Sequence, residues 1–113
     1  SDEANASDVL HTAFAALSGL GLDDCDIVEL VPFERLVLRV YGYRKLLVSG
    51  RARTRRTAAL VVRGLCAAVM DLAYAGPYDE IDGSGGGMFT CSQSRSVERG
   101  DTCDEFTARR QLA

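Results

Sequence analysis

The sequence predicts an α+β fold, an antiparallel sheet with helices packed on one face, in the order α-β-β-α-β-β. Two stretches place apolar residues at helical spacing, and two pairs of strand-like runs are each divided by turn residues. Neither half is long enough to bury a core alone, so the helices must cover the sheet. The chain has 113 residues, 47% hydrophobic and 26% charged. That is the balance of one domain with a modest core, expected over residues 7–113, with residues 1–6 as a flexible lead-in.

Ser7 can cap the first helix, in which Leu10, Phe14 and Leu17 fall on one face and Gly19 and Gly21 supply the stop. His11 is turned about 100° from Leu10, toward the flank of Asp8, and reads as a solvated histidine. The runs Asp26 to Val31 and Arg35 to Tyr43 form a hairpin about Pro32-Phe33-Glu34. Leu36, Leu38 and Val40 share the face that should meet the core, and Val37, Arg39 and Tyr41 share the other. Thr57 opens a second helix of about eighteen residues. Its stripe is Leu60, Val61, Leu65, Ala68, Val69 and Leu72, with Gly64 allowing close approach, and it ends before Gly76-Pro77. Residues 76–87 are a glycine-rich loop without the pattern of a phosphate cradle. Met88 to Glu98 and Thr102 to Arg109 make a second hairpin around Arg99-Gly100-Asp101.

Thirteen Lys and Arg against sixteen Asp and Glu give a net charge of -3, which offers no bulk attraction to nucleic acid or an anionic membrane. The apolar stretch from Ala58 to Ala75 is broken by Arg63 and Asp71, and no basic segment followed by an apolar run opens the chain. Neither a membrane span nor a signal peptide is expected. The four cysteines, Cys25, Cys66, Cys91 and Cys103, contain no C-x-x-C pair, which suits a reduced, cytoplasmic setting. Cys66 and Cys91 read as small buried hydrophobes. With His11 the one histidine, a Ser-His-Asp or Cys-His engine would have to use it. The run Arg51, Arg53, Arg55 and Arg56 precedes the second helix and supports two readings. An anion there would relieve both the repulsion from the helix dipole and the orphan amides; otherwise the arginines are a solvated loop or meet an acidic partner. Without interleaved aromatics they do not read as a nucleic-acid contact.

The stretch from Gln93 to Phe106, QSRSVERGDTCDEF, resembles the C-terminal signature of the 4-vinyl-reductase-type small-molecule-binding domain. There a strand carrying E-x-x-C leads into a Gly-Asp turn and a C-x-F strand. The resemblance implies zinc ligands at positions that here hold Gln93, Ser96 and Cys103. Gln is a weak zinc ligand and Ser a rare one, so the expectation is a degenerate site, with no metal and no cofactor. With a turn at Arg99-Gly100, Ser96 would lie opposite Cys103 at roughly 5 Å. The resemblance further implies a pocket for a small apolar or aromatic molecule between sheet and helices, and pairing as a homodimer through helices. Leu38, Val61, Leu65, Val69, Leu72 and Phe89 are the candidate lining, or else form the core alone. The expected function is a non-catalytic sensor or carrier domain, the alternative a dimerising interaction module that has lost its ligand and metal. The segment Arg95 to Phe106 is also similar to the end of the aminothiazoline-carboxylate hydrolase family, with Glu105 inserted between Asp104 and Phe106. A small-molecule hydrolase with Cys103 as nucleophile is the third reading.

Overall fold

β1 (Cys25–Val31) and β2 (Arg35–Val40) pair antiparallel around a tight turn in which the Glu34 amide donates to the Val31 carbonyl at 3.0 Å. Pro32 sets the turn's first corner, and Phe33 takes the second with φ at 67°, a position that favours glycine. The Phe33 ring packs against Tyr74, centroids 4.9 Å apart, so the side chain that strains the turn also ties it to the long helix. The computed structural model describes residues 8, 11, 12, 14, 15, 18, 19, 22, 24–74 and 88–111. The expected lead-in and the glycine-rich loop lie outside these residues. So do Leu10 and Leu17 of the first helix, whose described residues are helical, with Phe14 packed on the core.

After β2 come a short α1 (Arg44–Val48) and the long α2 (Arg55–Tyr74). β3 (Phe89–Arg95) and β4 (Asp104–Arg110) complete a four-stranded antiparallel sheet in the order β1-β2-β4-β3. The connection between β3 and β4 is longer than the expected Arg99-Gly100-Asp101 turn. Val97–Arg99 make a 3-10 turn, which Gly100 closes with φ at 100°. Both edge strands carry a bulge, between Ile27 and Glu29 and between Gln93 and Arg95, which interrupts the ladder where an open edge would invite foreign strands.

Register sorts the two faces. Leu36 pairs with Ala108, Leu38 with Phe106 and Val40 with Asp104, all buried on the covered face. Arg39 pairs with Glu105 and Val37 with Thr107 on the open one. Ala58, Val62, Cys66, Val69, Met70 and Tyr74 of α2 are the residues it buries. Two devices set this helix. Thr54 Oγ1 accepts from the Thr57 amide at 3.0 Å as an N-cap, so the helix starts before the expected Thr57. Near its end Asp71 Oδ1 accepts from the Met88 and Phe89 amides at 2.7 and 3.0 Å, fastening the start of β3.

Candidate functional site

The layer between α2 and the sheet is occupied by side chains. Leu38 is 0%, Val69 4% and Phe89 4% exposed, all members of one core cluster. Leu72, by contrast, is 73% exposed on the outward side of α2. Val69 and Phe89 are therefore core and Leu72 surface, whereas Leu38 also borders a cavity of about 310 Å³ between the first helix and the sheet, beside Phe14, Ala15, Ser18, Cys25, Asp26 and Ile27.

The other two, Val61 and Leu65, border a cavity of about 110 Å³ on a different side of α2. Its remaining walls are Leu22, Leu46, Arg51, Ala52 and Val62. Local structure explains this lining. α1 turns Leu46 inward while Arg44, Lys45, Leu47 and Val48 stay exposed. The Ala52 amide then donates to the Leu46 carbonyl at 3.2 Å, which folds the next segment back beneath α1 and buries Ala52. The Arg51 side of the wall joins five aliphatic neighbours and Ala52, so the enclosed surface presents hydrocarbon rather than hydrogen-bonding groups. The cavity is partly open to solvent, since Arg51 and Val61 on its rim are exposed.

A further cavity, of about 120 Å³, lies between the start of α2 and the β3–β4 connection, lined by Arg55, Arg56, Ala59, Gln93, Ser96, Glu98 and Asp104. The fold thus brings two of the four arginines beside two of the three degenerate metal positions. Arg51 belongs to the apolar cavity, and Arg53 is exposed. Each arginine here already faces an acid: Arg55 Nη2 lies 3.8 Å from Asp104 Oδ2, and Arg56 Nη2 lies 3.8 Å from Glu98 Oε2. Asp104 is buried at 2% exposure. It accepts from Tyr43 Oη at 2.6 Å and from the Val97 amide at 2.9 Å. The Arg55 guanidinium carbon sits 5.3 Å from the centre of the Tyr43 ring, and its Nε is buried without a hydrogen-bond partner. Burial, and then the bond to Asp104, push the Tyr43 hydroxyl well above the ordinary tyrosine range.

The β3–β4 ladder ends at Arg95 and Glu105, so Ser96 and Cys103 lie in the connection beyond it. Ser96 donates its amide to Asp101 Oδ2 at 2.8 Å, and the Asp101 amide donates to the Ser96 carbonyl at 3.0 Å. This reciprocal pair forms because the longer connection turns back at Gly100. Gln93 faces Phe106 in the ladder and spends its amide on the Arg95 carbonyl at 3.1 Å. Cys103 is buried and lines none of these cavities. Among the described residues no group of three or more His, Cys, Asp or Glu converges as metal ligands would. Cys66 is buried and Cys91 half-buried. A hydrogen bond to Cys91, followed by burial, pushes the Cys66 thiol up. His11 is exposed.

Leu22, Leu46 and Ala52 were not singled out by sequence reasoning. Residues 44–48 are too few to display helical periodicity, and Ala52 sits inside a run whose arginines dominate the reading. Tyr43 and Asp104 did carry a signal: an acid in register with Phe106 and Ala108 on an apolar face needs a buried donor. Comparison with protein-family models, curated proteins and solved structures finds no match.

Proposed function

We propose that the chain is a non-catalytic binding domain, a sensor or carrier, for a small apolar or aromatic molecule held in the cavity between α1 and α2. The observation that carries this reading is the aliphatic wall of Leu22, Leu46, Ala52, Val61, Val62 and Leu65 around about 110 Å³. A hydrocarbon-lined void of this order takes a guest near the size of a benzene ring, below the usual range for drug-sized ligands. No nucleophile or general base is among its lining residues, and Cys103, the residue a hydrolase would need, is 3% exposed. Binding would exclude water from both guest and wall, the driving force being the apolar surface removed from solvent.

Calorimetric titration with benzene tests the reading. Saturable binding is expected for the wild-type chain and its loss for Ala52→Leu, which fills the cavity, with circular dichroism confirming that the variant folds. Absence of binding to the wild-type chain, or undiminished binding to Ala52→Leu, overturns it.

A further inference from the structure

The fold places the four cysteines differently. Cys25 opens β1 and Cys103 lies in the β3–β4 connection, whereas Cys66 and Cys91 meet across the layer between α2 and β3. Cys66 belongs to the inward side of the helix, between Val62 and Val69, and is 2% exposed. Cys91 pairs with Ala108 in the ladder and packs, half-buried, against the core cluster that contains Cys66. The two thiols share a hydrogen bond, and neither is in a disulfide. Because β3 is an edge strand, one sulfur is sealed in the core and the other sits at its rim.

We propose that Cys66 and Cys91 are a reversible redox pair, which a hydroperoxide closes into a disulfide joining α2 to β3. Cys91 is the attacking thiol. It is the more accessible of the two, and the thiolate is the nucleophilic form. The hydrogen bond from Cys66 lowers the Cys91 thiol from its ordinary range; burial opposes this and the Arg63 guanidinium adds to it. The same bond, with burial second, raises Cys66, which keeps its proton. The Cys91 sulfur attacks one oxygen of the peroxide, the O–O bond breaks, and the hydroxide that leaves takes a proton from solution. One water and a sulfenic acid result. The Cys66 sulfur then attacks the sulfenic sulfur, so that the S–S bond forms as the S–O bond breaks, and the second hydroxide leaves with the Cys66 proton as water. The two thiols have lost two electrons and one peroxide has gained them. A thiol reductant restores the pair. A small oxidant fits the site, since a half-buried sulfur beneath a helix admits a peroxide more readily than a bulky disulfide. The finished bond is about 2.05 Å long, and an edge strand, held by a ladder on one side only, can yield to bring the sulfurs together. The bond would tie the same two elements that Asp71 already fastens through the Met88 and Phe89 amides, so it adds stability without changing topology. The pair stands independently of what fills the cavity beside α1.

The reduced, folded chain is treated with hydrogen peroxide and digested with chymotrypsin, whose cleavage after Tyr74 and Phe89 separates the two cysteines. A cross-linked peptide pair holding Cys66 and Cys91 is expected, released by dithiothreitol, together with a higher urea midpoint for the oxidised chain. In the urea-unfolded chain loop closure favours Cys91 with Cys103, which is nearer in sequence, so the native preference is expected to vanish there. Cys66→Ser is expected to stop at the Cys91 sulfenic acid, trapped as its dimedone adduct, with circular dichroism confirming the fold; Cys66→Ala serves the same purpose if the core rejects a hydroxyl. Thiols of the folded wild-type chain left intact by excess peroxide overturn the proposal, as does a disulfide that joins either cysteine to Cys25, to Cys103 or to a second chain. A dimedone adduct on Cys66 in the Cys91→Ser chain, and none on Cys91 in the Cys66 variants, overturns the assignment of the attacking thiol.

Discussion

Asp104 stands in register with Phe106 and Ala108 on the covered face, and its two oxygens are answered by the Tyr43 hydroxyl and the Val97 amide. Removing the phenolic donor leaves a buried acceptor short of a partner, so Tyr43→Phe is expected to cost about 1–3 kcal/mol in urea-induced unfolding. The same pair sets an alkaline limit. Folding holds the Tyr43 proton more tightly than the unfolded chain does, through burial first and the bond to Asp104 second. Its contribution is complete below about pH 10 and declines as the pH rises further. Wild-type stability should therefore fall above that pH, with a smaller fall in Tyr43→Phe; equal slopes in the two proteins would contradict this. On the open face Arg39 Nε donates to Glu105 Oε2 at 2.9 Å, and this bond is the largest influence holding the Glu105 carboxyl below its usual range. Glu105 accordingly contributes above the ordinary carboxylate range and loses that contribution as the pH falls through its lowered value. Arg39→Gln is expected to move the Glu105 titration upward, followed by carboxyl NMR.

At the scale of elements, the first hairpin was legible because Pro32 and the alternating Leu36, Leu38 and Val40 report a turn and a one-sided strand. The second helix was legible as a helix, but not its core face: of the expected stripe only Val69 is buried, Leu65 is half-buried, and Leu60, Val61, Ala68 and Leu72 are exposed, while Ala58, Val62, Cys66, Met70 and Tyr74 face inward. Its start was not legible either, since Thr54 and Thr57 are equally good capping residues. The structure gives the cap to Thr54, whose hydroxyl oxygen accepts the Thr57 amide. Thr54→Ala is expected to cost about 1 kcal/mol of stability, and Thr57→Ala less, by urea unfolding. Asp71 entered the sequence reading only as a break in an apolar run, because nothing local reveals its bonds to amides 17 and 18 residues away. Asp71→Ala should release the start of β3 and raise amide exchange at Met88 and Phe89 above that of the strand's centre. The connection between β3 and β4 misled for a related reason. Gly100 takes the left-handed conformation, and the 3-10 turn before it lengthens the reversal, so the β3–β4 ladder ends at Arg95 and Glu105.

Across the whole molecule, the sequence pointed to an apolar site beside the second helix but set it against the sheet. A small domain spends its large side chains on its own core, as Leu38 and Phe89 of the sheet and Val69 of α2 do. One apolar space lies where two elements of unequal length meet, between the five-residue α1 and the twenty-residue α2, and a wider one lies beside Leu38 between the first helix and the sheet. Val61 and Leu65 border the cavity between α1 and α2 rather than one against the sheet, and Leu22, Leu46 and Ala52 join them through a chain path that no local pattern encodes. An apolar guest is proposed to enter the space between α1 and α2. Methyl-resolved NMR of the chain titrated with benzene tests that most directly. The expected result is a saturable shift of the Leu22, Leu46, Val61, Val62 and Leu65 methyl signals that disappears in Ala52→Leu. Shifts centred instead on Leu36, Leu38 and Val69 would move the guest to the layer between helix and sheet, and no saturable shift at any methyl would contradict the binding function altogether.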